Sequence, residues 1–334
     1  MKFSLALPTC YEGLGYPLGF AGDGTGFIRL VRAAEAFGYD GIWGNDHLVT
    51  PHCLRAAGGS APSFYDTLIV LAHVAAATTS LRLGTAVLAL PLRHPVVLAK
   101  QAITLDVLSG GRLSLGLGVG AYPEEFAALH PDGERAARGL VFDERLEALR
   151  MLLDLGRGSY RGRSIAFTDV DLFPRPAQSP LPIYVGGHTA RVIERAARWG
   201  QGWMPGWQPV AGLRKGTALL RARLSELERA PGSVEVAPEL SATIGRRHED
   251  AVARYEASGF VRHRRSRDRT DRDPALMVAS NLVGSPDAIL ERVAALAEAG
   301  VEHCASIAFP AETIDELLEQ WQQFSEEVIA RATT

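Results

Sequence analysis

A carboxylate and an imidazole stand side by side at Asp46-His47, directly after the apolar run 39–44. Such a pair can transfer a proton or orient a bound ring. A polar strand end with two satisfied side chains is the plainer alternative. Glycine is dense in two neighbouring runs, Leu83-Gly84-Thr85-Ala86-Val87-Leu88 and Gly116-Leu117-Gly118-Val119-Gly120. Glycine lets a flat ligand approach the backbone, and tight strand packing explains it equally well. In Val185-Gly186-Gly187-His188-Thr189 a strand runs into two glycines and a helix begins at once. Free N–H groups and the helix dipole there would suit a phosphate, against a tight turn with no ligand. Trp203 and Trp207 flank the run 200–205 and could wall an aromatic pocket, whereas Trp199 falls in a helix. His47, His52 and His94 match no metal-ligand spacing, so no metal is expected.

Strand-like and helix-like runs alternate and position these residues. The apolar pattern predicts strands over 2–7, 39–44, 81–90, 112–118, 182–186, 200–205, 234–244 and 303–309. Helices are predicted over 26–37, 66–78, 94–110, 139–154, 188–198, 211–229, 285–300 and 313–331. Their ends carry capping chemistry: Asp66, Ser285 before Pro286, and the capping box Thr313…Glu316. Eight strands, each followed by a helix, predict an α/β fold, a closed (β/α)8 barrel in one domain, 1–334. An open doubly wound sheet is the runner-up. The dinucleotide fingerprint that would support it is absent, since the glycines read G-x-G-x-G.

Three insertions interrupt the alternation, at about 48–65, 155–181 and 246–283, and 9–25 is a further long connection. The segments 9–25, 48–65 and 246–283 follow strands and so belong to the C-terminal face, where barrel active sites form. The segment 155–181 follows a helix and reads as a small hairpin over 159–173 at the opposite face. Residues 262–273 mix Arg with Asp and read as a solvated loop, or as a lid over an anionic cofactor tail.

Lys plus Arg number 35 and Asp plus Glu 38, a net charge of −3, which gives no sign of a nucleic acid as the main partner. No apolar run approaches the ~20 residues of a membrane span. The three cysteines Cys10, Cys53 and Cys304 are widely spaced and fit a reducing cytoplasm.

Taken together, Glu35-Ala36-Phe37-Gly38-Tyr39-Asp40-Gly41, Asp46-His47-Leu48, Leu83-Gly84-Thr85-Ala86-Val87, Arg93-His94-Pro95 and Asp106-Val107-Leu108-Ser109-Gly110-Gly111-Arg112 resemble the luciferase-like monooxygenase family. Glu124-Glu125-Phe126, Arg138-Gly139 and Gly186-Gly187 extend the resemblance to about residue 205, and it returns at Gly284-Ser285-Pro286. It implies a pocket at the strand C-termini that holds coenzyme F-420, an 8-hydroxy-5-deazaflavin, or FMN. Asp46 and His47 match positions beside the cofactor ring, with His47 catalytic. Thr85, Ala86 and Val87 match a bulge behind the ring, with a cis peptide expected at Ala86–Val87. Gly120 and Glu124 match the next strand tip, and Gly186, Gly187, His188 and Thr189 match the phosphate turn. Trp43, Tyr65, Trp203 and Trp207 are expected around the substrate. The run departs from many relatives at Ala121, which cannot donate a proton.

The resemblance implies an oxidoreductase that moves hydride to or from a small organic substrate with coenzyme F-420. The alternatives are an FMN-dependent monooxygenase served by a separate flavin reductase, and a flavin-binding barrel without catalysis. A homodimer is expected from the same resemblance.

Overall fold

In this computed structural model the described residues are 1–50, 54, 61–129, 137–266 and 273–332. His52, Cys53 and the part of the basic run at 267–272 lie outside them. The ring strands are β1 (Lys2–Leu7), β2 (Gly41–Gly44), β3 (Arg82–Thr85), β4 (Leu88–Ala89) and β5 (Leu113–Gly118). A hairpin of β6 (Arg157–Arg161) and β7 (Ala166–Asp171) stands off the ring as an antiparallel pair. The ring continues through β8 (Ile183–Gly186), β9 (Gly202–Met204), β10 (Glu235–Val236), β11 (Glu239–Ile244) and β13 (His303–Ala308), with β12 (Leu282–Gly284) beside β11.

All ring pairings are parallel, in the order β10-β9-β8-β5-β3-β2-β1-β13-β11. The seam closes because β10 and β11 are two halves of one strand. Pro238 has no N–H to give to a ladder, so the strand breaks there. Its lower half faces β9, and on either side of the proline Ala237 N–H donates to Trp203 O at 2.8 Å and Glu239 N–H to Pro205 O at 2.9 Å. On the other side Glu302 N–H reaches Val236 O at 3.0 Å and Ala305 N–H reaches Pro238 O at 3.1 Å. The predicted strand over 81–90 is likewise two pieces, and the Ala86–Val87 peptide between them is cis.

Helices cover the ring with their apolar stripes. Leu30, Leu71, Leu98, Leu149, Ile193, Leu220, Ile289 and Leu317 are all buried against the strands, each contributing roughly 1.5–3 kcal/mol. The predicted caps form: Asp66 accepts from Ile69 N–H at 3.1 Å, and Thr313 accepts from Glu316 N–H at 3.1 Å.

The barrel lumen is filled in two layers. Trp43, Ala86, Tyr184, Met204, Ala237 and Ala305 make the apolar one. Gly84 admits the indole, since a Cβ there would lie 2.1 Å from the Trp43 ring. Below it Glu235 gathers Lys2 Nζ at 2.6 Å, the Tyr184 hydroxyl at 2.5 Å and His303 Nδ1 at 3.3 Å. His303 Nε2 meets Ser4 Oγ at 2.7 Å, so this buried polar layer is closely bonded. Its cations and hydrogen bonds hold the Glu235 carboxyl well below the usual carboxylate range against the cost of burial.

The segment 246–283, read from sequence as loop, is largely helical. It forms α1 (His248–Glu256), α2 (Gly259–Ser266) and α3 (Pro274–Ala279) before β12. Tyr255, Val261, Met277 and Val283 give it a small core of its own, against which Trp207 packs. Among the described residues no helix is long and apolar enough to cross a membrane.

Candidate functional site

The tip of β2 is latched to the tip of β1. Asn45 Oδ1 accepts from Cys10 N–H at 3.1 Å and from Thr9 Oγ1 at 3.1 Å, while its amide donates to Cys10 O at 3.1 Å. The latch sets the chain direction for the next two residues. Asp46 turns inward and its side chain is wholly enclosed. Arg93 donates to it at 2.6 Å, and Ala89 N–H at 3.3 Å. Burial pushes the Asp46 carboxyl up, and Arg93 and the Ala89 N–H oppose that. Its oxygens therefore tie β2 to β4 and the bulge before it.

His47 turns the other way, into the mouth. Its Nδ1 lies 3.2 Å from Glu125 Oε2, while Glu125 Oε1 accepts from Leu48 N–H at 2.5 Å and Val49 N–H at 3.4 Å. Glu125 sits on a short helix, α4 (Pro123–Leu129), and its side chain is 2% exposed. The imidazole is flanked by Phe64 at 5.5 Å and by Tyr122, edge-on, at 5.1 Å. Tyr122 also reaches the insertion, its hydroxyl 3.0 Å from His263 Nε2. Sequence reasoning had named Glu124, which is half-buried, and had not assigned a role to Glu125. The Glu-Glu doublet was the available signal.

The floor of the mouth is built from glycine. Cβ atoms at Gly118 and Gly186 would lie 2.5 Å and 2.9 Å from Val87 methyls, and one at Gly116 would lie 1.8 Å from Thr85 O. Only glycine therefore lets Val87 settle across three strand tips. Val87 is half-buried and Ala86 buried, so the bulge offers the mouth a small apolar shelf. Gly120 is left-handed at φ +84°, with Arg138 donating to its carbonyl at 3.2 Å.

At the phosphate turn the glycines serve the fold first. Gly187 N–H is spent on Met204 O at 2.9 Å and its carbonyl accepts from Trp203 Nε1 at 2.8 Å. Its φ of +120° also restricts the position to glycine. Thr189 caps the helix that follows, α5 (Ala190–Trp199), by accepting from Val192 N–H at 3.4 Å. Among the described residues no acceptor engages the N–H groups of Ala190 and Arg191. His188 and Thr189 are exposed beside them.

Four residues expected near ligand lie elsewhere. Trp43 is fully buried in the lumen layer below the mouth. Trp203 is fully buried on the outer face, where a Cβ at Gly216 would lie 2.2 Å from its ring. Thr85 is buried with its hydroxyl on Gly116 O at 2.8 Å. Tyr65 turns to the loop after β1, its hydroxyl on Gly22 O at 3.2 Å and its ring edge-on to Phe27. Trp207 packs against the insertion, with the Arg264 guanidinium 3.5 Å above its ring.

Burial beside Asp46 pushes the Cys10 thiol up, and burial pushes Cys304 up to about 12, so both stay protonated. Among the described residues no three His, Cys, Asp or Glu side chains converge as a metal site.

Comparison with known proteins places the chain in a family. An uncharacterized protein of Mycobacterium tuberculosis is 35% identical over 195 residues, which is 55% of this chain and 66% of that protein, just under two thirds. The F420-dependent glucose-6-phosphate dehydrogenase of Kineococcus radiotolerans is 34% identical over 172 residues, 51% of this chain and 49% of that enzyme. Monooxygenase RslO1 of Streptomyces bottropensis superposes with a TM-score of 0.79, at 24% identity and 99% coverage of both chains, which shows the shared fold. The family model for luciferase-like monooxygenases matches residues 1–303, and the chain belongs to that family.

Proposed function

We propose that the protein is an oxidoreductase that uses coenzyme F-420 to move hydride to or from a small organic substrate. The carrying observation is the His47–Glu125 pair at 3.2 Å, held at the barrel mouth beside the Val87 shelf. A planar tricyclic group suits these surroundings. The shelf supplies an apolar backing, the glycine tips remove the side chains that would stand in its way, and two helix-start N–H groups remain for a phosphate. When bound, the deazaflavin supplies the hydride chemistry. Glu125 orients His47 and supports its charge. His47 would take the proton from the substrate oxygen as hydride leaves the adjacent carbon, or return it in the reverse direction, and Phe64 and Tyr122 keep water from the imidazole.

Similarity to the F420-dependent enzyme of Kineococcus radiotolerans supports F-420 over FMN. FMN with oxygen is the alternative, and it would require a reductase partner. Titration of the apoprotein separates them. Coenzyme F-420 is expected to bind at least about tenfold more tightly, a margin of ~1.4 kcal/mol. Tighter FMN binding would reverse the assignment. We take the protein to act as a homodimer in the cytoplasm, which sedimentation and fractionation would test.

A further inference from the structure

Strand β11 reaches the mouth three ring positions away from β2, and its first residue, Glu239, is an acid whose side chain is used by none of the contacts above. Side chains along a strand alternate. Glu235 and Ala237 point into the barrel, where they meet Tyr184 and Trp43, while Leu240 packs outward among the helices. Glu239 therefore projects into the lumen, one step above Ala237 and toward the C-terminal ends. It is half-buried. Among the described residues no hydrogen bond or ion pair reaches its carboxylate oxygens. Its oxygens are accessible from the mouth and are free to accept a hydrogen bond from a molecule bound there.

The neighbours narrow its chemistry. Arg264, from the insertion, and Tyr11, from the loop after β1, are the charged and titratable groups that face it. The Arg264 guanidinium lies on the Trp207 ring. Tyr11 packs edge-on against Phe260 at 5.4 Å, so the walls are aromatic. Burial pushes the Glu239 carboxyl up to about 7, with Arg264 opposing. Tyr11 is pushed up by burial and Arg264 stays charged, so Glu239 alone of the three changes charge near neutral pH. A cationic amine would be repelled by the guanidinium. A neutral hydroxyl would satisfy the open acceptor without that cost.

We infer that Glu239 is the substrate-anchoring carboxyl of the mouth, accepting a hydrogen bond from a hydroxyl on a ring-bearing substrate whose reacting carbon lies toward His47. The role in turnover rests on the oxidoreductase reading; the binding role does not.

Benzyl alcohol and toluene, which differ by one hydroxyl, serve as probes. Their affinities are measured by titration calorimetry, with and without saturating coenzyme F-420. The alcohol-to-toluene affinity ratio is expected to fall at least about tenfold in Glu239→Leu, the size of a lost hydrogen bond to a charged group. Glu239→Gln keeps an acceptor oxygen and should retain most of the ratio. In the wild type the ratio should fall as pH is lowered through about 7, and in Glu239→Gln it should stay flat. An unchanged ratio in Glu239→Leu, a flat wild-type profile, or no binding of either probe overturns the inference. Cofactor titration on the same samples reads the oxidoreductase reading separately: a wild type that binds neither F-420 nor FMN overturns that reading and leaves the probe ratio interpretable.

Discussion

The Arg93 guanidinium and the Asp46 carboxylate meet at 2.6 Å with both side chains almost wholly removed from water. Neither partner is dispensable alone. Arg93→Met would leave a buried carboxylate with only the Ala89 N–H, and should cost about 3–5 kcal/mol in urea unfolding. The double variant Asp46→Asn, Arg93→Met should recover much of that loss. Recovery of none would mean the pair acts through packing instead of charge.

His47→Ala should keep the fold and cofactor affinity but lower turnover about 100-fold or more, the usual range for a proton-transfer group. Glu125→Gln should lower it less, because the imidazole stays and only its orientation and charge support weaken. Equal losses in the two variants would show that Glu125 does more than position His47.

Ala190→Pro removes one N–H at the start of the helix after the double glycine. Proline is tolerated at that first position, and Thr189 before it is already extended at ψ 157°. Thermal stability should therefore change little, while cofactor affinity falls several-fold. Unchanged affinity would place the phosphate elsewhere. Gly187→Val is a poorer probe: it should unsettle the fold as well, since φ is +120° and the new Cβ would lie 3.1 Å from Val192.

The polar layer under the lumen makes an acid-stability prediction. Glu235 titrates lower in the folded protein than in the unfolded chain. Its contribution is therefore complete above the ordinary glutamate value and is lost as pH falls through the depressed one. Glu235→Gln should destabilise the protein at neutral pH and flatten its acid-unfolding curve. A variant that unfolds in acid like the wild type would remove Glu235 from that transition.

Glu239 predicts the opposite slope. Its folded value is raised to about 7, so the folded state holds a proton that the unfolded chain has released. Stability from this group is intact below about 4.5 and declines as pH rises to 7. Glu239→Gln should gain up to about 3 kcal/mol over the wild type at pH 8 and nothing at pH 4. A gain equal at both values would point to packing.

The placement of Asp46-His47 was legible in the sequence because an apolar run, a polar pair and the strand–helix alternation all agree on a strand tip. Trp43 and Trp203 were misplaced for one reason. Each sits on a short strand buried on both faces, and such strands carry no polar alternation to say which side chain enters the barrel. Phe64, one position before Tyr65, is the ring that faces the imidazole. Glu125 was invisible as a partner because 78 residues separate it from His47 and its helix is short. The helices of 246–283 were hidden by charge: Tyr255, Phe260, Val261 and Met277 anchor them, but Arg and Asp dominate the composition between.

The proline that divides the seventh strand also divides its allegiance. Residues before the ring-closing break belong to the wall shared with β9, and those after it to the wall shared with β13. The insertion carrying His263 and Arg264 springs from the second half. Whatever pulls on that insertion pulls first on β13, and reaches β9 only through the few amide bonds that bridge the gap.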